Sequence, residues 1–164
     1  MFTSTTSTAS PSRSRLRRRR FVVAALTVAI ASTATGCDSW GPISSSYHGQ
    51  TVVKGDGFAN KSPQSVSDSL HVTDPLSDGN SVYGHVDFQF WEAVSNGLGD
   101  TTMTWVTAHG HTTPEFSNTD RKYAYSSGLQ GNWSRARVKS FVCAQMGWPV
   151  PDSCSNSAYN TYDY

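Results

Sequence analysis

Residues 81–92 read SVYGHVDFQFWE, and the alternation in this run constrains the fold more than any other feature of the chain. Gly84, Val86, Phe88 and Phe90 fall on one side, and Tyr83, His85, Asp87, Gln89 and Trp91 on the other. A side-chain period of two sets one group against a core and turns the other outward, so this is a half-buried strand. Residues 134–143 repeat the pattern, with Ala136, Val138, Ser140 and Val142 opposed to Arg135, Arg137, Lys139 and Phe141. Residues 101–109 (TTMTWVTAH) are β-branched and aromatic, and regular alternation would put Met103, Trp105, Thr107 and His109 on one side. Residues 70–72 and 122–125 are shorter candidate strands. Asp74-Pro75-Leu76-Ser77-Asp78-Gly79-Asn80 and Asn96-Gly97-Leu98-Gly99-Asp100 supply turns. No segment sustains a 3.6-residue period. About five short strands with Gly, Asn and Asp turns predict an all-β fold, a single small antiparallel sandwich or barrel.

The first 36 residues have a different character. Six of the 13 Lys and Arg residues (Arg13, Arg15, Arg17, Arg18, Arg19, Arg20) lie in the first twenty positions, and none of the 12 Asp and Glu residues precedes Asp38. The eleven-residue apolar run FVVAALTVAIA follows at 21–31, then small residues at 32–36. Positive, apolar, small in that order is the layout of an export signal, so residues 1–36 are expected to be a signal peptide and the rest of the chain extracytoplasmic. Arg18-Arg19-Arg20-Phe21-Val22 resembles the twin-arginine export pattern, with the general secretory route as the alternative. Ala34-Thr35-Gly36-Cys37 resembles a bacterial lipobox, which makes Cys37 a candidate for acylation and a membrane anchor. Ala29-Ile30-Ala31 offers another cleavage site, one that would release a soluble protein. Beyond the leader, seven basic residues face twelve acidic ones. That balance argues against a nucleic-acid grip, which needs a cationic face.

The chain has three cysteines, Cys37, Cys143 and Cys154. With Cys37 lipidated, the other two form an even pair, and an oxidising compartment favours a disulfide between them. Residues 37–65 are rich in Ser, Gly, Asn and Pro and are expected to be a tether leading to a possible first strand near 50–54. Residues 66–155 are expected to form the β domain. Residues 156–164 have Ala158 as their one aliphatic side chain and are expected to be a mobile tail.

Val72-Thr73-Asp74 before the turn, Ser77-Asp78-Gly79 in it and Ser81-Val82-Tyr83 after it resemble small exported proteins and lipoproteins of actinobacteria. Arg135-Ala136-Arg137-Val138, Phe141-Val142-Cys143 and Pro151-Asp152-Ser153-Cys154-Ser155 are similar to theirs too. The resemblance covers roughly residues 66–155. It implies a β-rich extracytoplasmic domain and supplies no catalytic residue.

Three features bear on chemistry. His109-Gly110-His111 on a strand aims two imidazoles to one side, and His85 on the preceding strand could join them, with Asp87 or Glu115 completing a metal site. The bland alternative is a set of exposed loop histidines. The segment beginning at Asp74 has the first, fifth and sixth residues of a calcium loop, but Leu76 replaces the ligand at its third position, so a plain turn is favoured. Tyr83 and Trp91 fall on the outward side of their strand, where aromatic rings could bind a sugar or a protein partner. No Gly-x-Ser-x-Gly nucleophile elbow occurs. The expectation is therefore a lipid-anchored binding module, without a catalytic residue or cofactor. The alternative is a secreted enzyme or metal-binding protein using His85, His109 and His111.

Overall fold

The computed structural model describes residues 37–129 and 131–164, so the predicted signal peptide lies outside the described residues. Among the described residues, nine strands make two antiparallel sheets packed face to face, as the alternation predicts. The strands are β1 (Cys37–Tyr47), β2 (Gln50–Lys61), β3 (Ser65–Thr73), β4 (Val82–Ser95), β5 (Thr101–Thr112), β6 (Asp120–Gly128), β7 (Arg135–Ala144), β8 (Ser153–Cys154) and β9 (Ala158–Asp163). One sheet runs β1-β2-β3-β6; the other runs β5-β4-β7, with β8 and β9 both pairing with β7.

The core lies between the two sheets. β3 contributes Val66, Leu70 and Val72, β4 contributes Val82, Val86, Phe88 and Phe90, and β7 contributes Ala136, Val138 and Val142. Trp133 stacks on Phe90 at 4.2 Å and packs against this core. Asp68 of β3 is also buried, held by Trp40 of β1 and Ser140 of β7.

Two segments differ from the sequence reading. The segment 37–65, expected to be a tether with a possible first strand near 50–54, is two full strands: the expected strand runs on to Lys61 as β2, and β1 pairs with it antiparallel from Cys37↔Asn60 to Tyr47↔Gln50, with register shifts between Trp40 and Ile43 and between Ser45 and Ser46. Its inward positions on β2 are Val53, Gly55, Gly57 and Ala59, and the glycines leave room for side chains reaching across from Trp40 and Val142. The expected mobile tail is β9, hydrogen-bonded along β7 from Arg135↔Asp163 to Ser140↔Ala158. Its anchor is Tyr162, only 7 % exposed and part of the core. The β domain thus takes in both segments. The short strand expected at 122–125 is the longer β6.

Cys143 and Cys154 are disulfide-bonded and stand opposite each other in the β7–β8 pair. Pro149 and Pro151 lie in the connecting loop, outside any strand, because a residue without an N–H cannot extend the ladder. The chain leaves the sheet there and the disulfide brings it back.

Candidate functional site: the outer face of the five-stranded sheet

The alternation in β4 and β7 turns Tyr83, His85, Asp87, Gln89, Trp91, Arg137, Lys139 and Phe141 away from the core. Register then brings them together. His85 stands opposite Phe141, Asp87 opposite Lys139, and Gln89 opposite Arg137. On the far side of β4, β5 places Trp105 opposite Trp91, Thr107 opposite Gln89, Gly110 opposite Asp87 and Thr112 opposite His85. β9 adds Tyr159 opposite Lys139 and Thr161 opposite Arg137.

At the centre of this face, Arg137 donates from Nε and Nη2 to Oε1 of Gln89 at 2.9 and 2.6 Å. The Gln89 amide in turn donates to Thr107 Oγ1 at 3.0 Å. The guanidinium lies 4.4 Å from the Trp105 ring centroid and 4.7 Å from that of Tyr159. Each such contact is worth about 0.5–1 kcal/mol at an exposed site. Burial lowers the Arg137 pKa, with Tyr159 opposing it. Trp91 meets Trp105 edge to face at 5.1 Å. Arg135 lies 5.7 Å from the Trp105 ring and pairs with Asp163 at 2.8 Å. The result is an aromatic row whose rings and polar groups are already held in place.

Beyond it, His85 bridges two partners. Its Nε2 lies 2.9 Å from Asp87 Oδ1 and its Nδ1 lies 2.8 Å from Thr112 Oγ1. A neutral imidazole that donates from Nε2 to the carboxylate accepts the Thr112 hydroxyl proton at Nδ1. Lys139 reaches the other oxygen of Asp87 at 3.4 Å. Gly110 makes this possible from β5: a Cβ there would stand 3.0 Å from Asp87 Oδ1 and 3.5 Å from His85 Nε2.

The last part is a hollow of about 330 Å³ lined by Tyr83, His85, Thr112, Glu115, Phe141 and Asp152, among others. Tyr83 donates its hydroxyl to Asp152 Oδ2 at 2.7 Å. Burial first, and then the Asp152 and Glu115 carboxylates, push the Tyr83 hydroxyl up to about 12.

The three histidines do not converge. A β-bulge lies between Phe88↔His109 and Gln89↔Thr107, and Ala108 has no partner in the ladder. The extra residue shifts the phase of β5. Met103, Trp105 and Thr107 share the outer face, but His109 and His111 stand opposite the core residues Phe88 and Val86. This corrects the expectation that His109 shares a side with Trp105. His111 stacks on Tyr125 of β6 at 4.8 Å, and His109 is exposed. His85 is left on the opposite side with Asp87. Among the described residues, no cluster of three or more His, Cys, Asp or Glu has the arrangement of a metal site.

Tyr83 and Trp91 both lie on the outer face as read, but in different parts of it, Trp91 in the aromatic row and Tyr83 in the hollow. Sequence reasoning missed Arg137, Trp105 and Tyr159 as a unit, and also Thr112 and Asp152. The alternation of β7 marks Arg137 as outward; the pairing of β9 that brings Tyr159 beside it leaves no mark of its own. No protein-family model matches the chain, and no curated protein matches it.

Proposed function

We propose that this chain is an exported binding module, anchored outside the cytoplasm through a lipid on Cys37, that recognises a glycan or protein partner with the outer face of its five-stranded sheet. The observation that carries this reading is Arg137 clamped between Trp105 and Tyr159, beside the Trp91–Trp105 pair. Flat rings flanked by fixed donors and acceptors suit a partner that stacks and hydrogen-bonds at once. The cationic-apolar-small leader supports export, and Cys37 is exposed at the first residue of β1. A lipid there would seat the four-stranded sheet directly at the membrane.

The test is binding of the exported protein to cell-wall glycan and to surface-protein fractions. Trp105→Ala and Arg137→Ala should each weaken binding about tenfold or more, with a thermal melt confirming that each variant is folded. Binding that survives both substitutions would remove this face from the reading. Intact mass of the exported protein reports the anchor: cleavage before Cys37 with an added acyl mass supports it, and an unmodified product beginning at Ser32 overturns it.

One observation favours a second reading, an enzyme. Thr112, His85 and Asp87 form a hydroxyl–imidazole–carboxylate chain whose first two members line the hollow. Such a chain can activate a hydroxyl as a nucleophile. The hollow opposes acyl transfer, because Glu115 and Asp152 would repel a developing oxyanion. Ester hydrolysis that disappears in Thr112→Val would reverse this ranking.

A further inference from the structure

The hollow at the Tyr83 end of the outer face has about 330 Å³ of space, within the range of small-molecule sites. Its walls are of two kinds. Tyr83 and Phe141 supply ring surface, and Phe141 is braced against His85 at 4.8 Å. Asp152 and Glu115 supply carboxylates, each contacted by a neutral donor: the Tyr83 hydroxyl on Asp152, and Gln145 Nε2 on Glu115 at 3.3 Å.

No Lys, Arg or His nitrogen lies within ion-pair distance of either acid among the described residues. Neither forms an ion pair, whereas Lys139 is held by Asp87 and Arg135 by Asp163. His85, the one basic side chain on the wall, has both ring nitrogens committed to Thr112 and Asp87. Arg121 and Lys122 line the neighbouring hollow on the other side of Glu115, and Arg121 is stacked on Phe116. Phe141 already attracts one ammonium, Lys139 Nζ, which lies 5.4 Å from its ring centroid. Ring faces and uncompensated carboxylates both favour positive charge. A neutral ligand would leave the acids unbalanced, and an anion would be repelled.

We infer that this hollow is a binding site for an organic cation, an alkylammonium group held against the Tyr83 and Phe141 rings and balanced by Asp152 and Glu115. The inference is independent of the aromatic row around Arg137. Two sources carry the same chemistry: a free quaternary amine, and a lysine side chain presented by a partner.

The experiment is a titration of the exported protein, followed by amide NMR shifts, with choline, with a short lysine-containing peptide, and with 3,3-dimethylbutan-1-ol as the neutral analogue of choline. The cations should shift the amides of Tyr83, Thr113, Glu115 and Asp152 and saturate, and the alcohol should bind about tenfold more weakly or not at all. Asp152→Asn and Glu115→Gln should each reduce cation affinity about tenfold. Both residues are exposed, and a thermal melt of each variant confirms folding. Tighter choline binding assigns the site to free amines, and tighter peptide binding assigns it to a partner's lysine. Equal binding of the alcohol, unchanged affinity in both variants, or no saturable shift with either cation would overturn the proposal. None of these results bears on the Trp105 and Arg137 variants.

Discussion

The indole N–H of Trp40 donates to Oδ1 of Asp68 at 2.7 Å, reaching from β1 across the width of β2 to β3. Ser140 on the opposite sheet donates to Oδ2 of the same carboxylate at 2.9 Å. A carboxylate only 2 % exposed is thus the polar tie between three strands and two sheets. Burial pushes it up to about 6 from the ordinary 3.8, and its two hydrogen bonds oppose that shift without cancelling it. Folding therefore makes Asp68 hold its proton more tightly. The stability gained is fully present below about pH 4 and is lost as pH rises through about 6. The difference between 3.8 and about 6 corresponds to about 3 kcal/mol. Asp68→Asn keeps an acceptor for Trp40 and removes the charge. It should be more stable than the parent at pH 8 and lose that advantage by pH 4, as measured by urea unfolding at the two values.

Gly57 is what lets Trp40 make that reach. A Cβ at Gly57 would stand 2.7 Å from Cζ2 of the Trp40 ring and would also collide with the Ser69 carbonyl oxygen. The indole lies where a side chain on β2 would otherwise be. Gly57→Ala should cost about 1–3 kcal/mol, the range for overpacking. It should also shift the Trp40 indole proton in the NMR spectrum, because the hydrogen bond to Asp68 is displaced with the ring. An unchanged indole signal would show that β2 yields instead.

The Cys143–Cys154 bond closes a loop that carries Trp148 fully into solvent, with 97 % of its surface exposed. Loop closure of this size contributes about 3 kcal/mol in the chain-entropy model. Cys154→Ser should lower the melting temperature by on the order of 10 °C, and reductant should do the same to the parent. Thermal scans with and without reductant, alongside thiol counting on the denatured chain, check both.

Tyr162 gives the C-terminal strand its hold on the core. Tyr162→Ala should destabilise the domain by about 3 kcal/mol or more, as for other buried aromatics. Tyr162→Phe keeps the ring and should stay within about 1 kcal/mol of the parent. A mobile tail would make both substitutions silent in chemical denaturation.

How much of this was legible depended on the size of the inward side chains. β4 and β7 could be read because Val, Phe and Ala alternate with charged or polar residues, and that contrast survives in one dimension. Of β2 only the start near 50–54 could be read, because its later inward positions are Gly55, Gly57 and Ala59, which carry almost no apolar signal. Their burial comes from Trp40 and Val142 arriving from other strands. β9 was illegible for a related reason: its one large buried side chain is a tyrosine, and its strand character depends on the free edge of β7. On the outer face, single-strand patterns marked Tyr83 and Trp91. The Arg137 clamp needs rings from β5 and β9 at once. The histidine expectation failed on one residue, since regular alternation contains no place for Ala108.

That residue also makes β5 respond unequally to changes in length. Deleting Ala108 would leave Thr107 opposite Gln89 and His109 opposite Phe88, the partners they have now. The strand would straighten, and every side chain would keep its side. Inserting one residue between His109 and His111 would turn the Thr112 end over and take its hydroxyl away from His85, because sidedness reverses with each single step. Natural variation in this strand should therefore be lopsided, with shortened versions common at one position and lengthened versions rare beyond it.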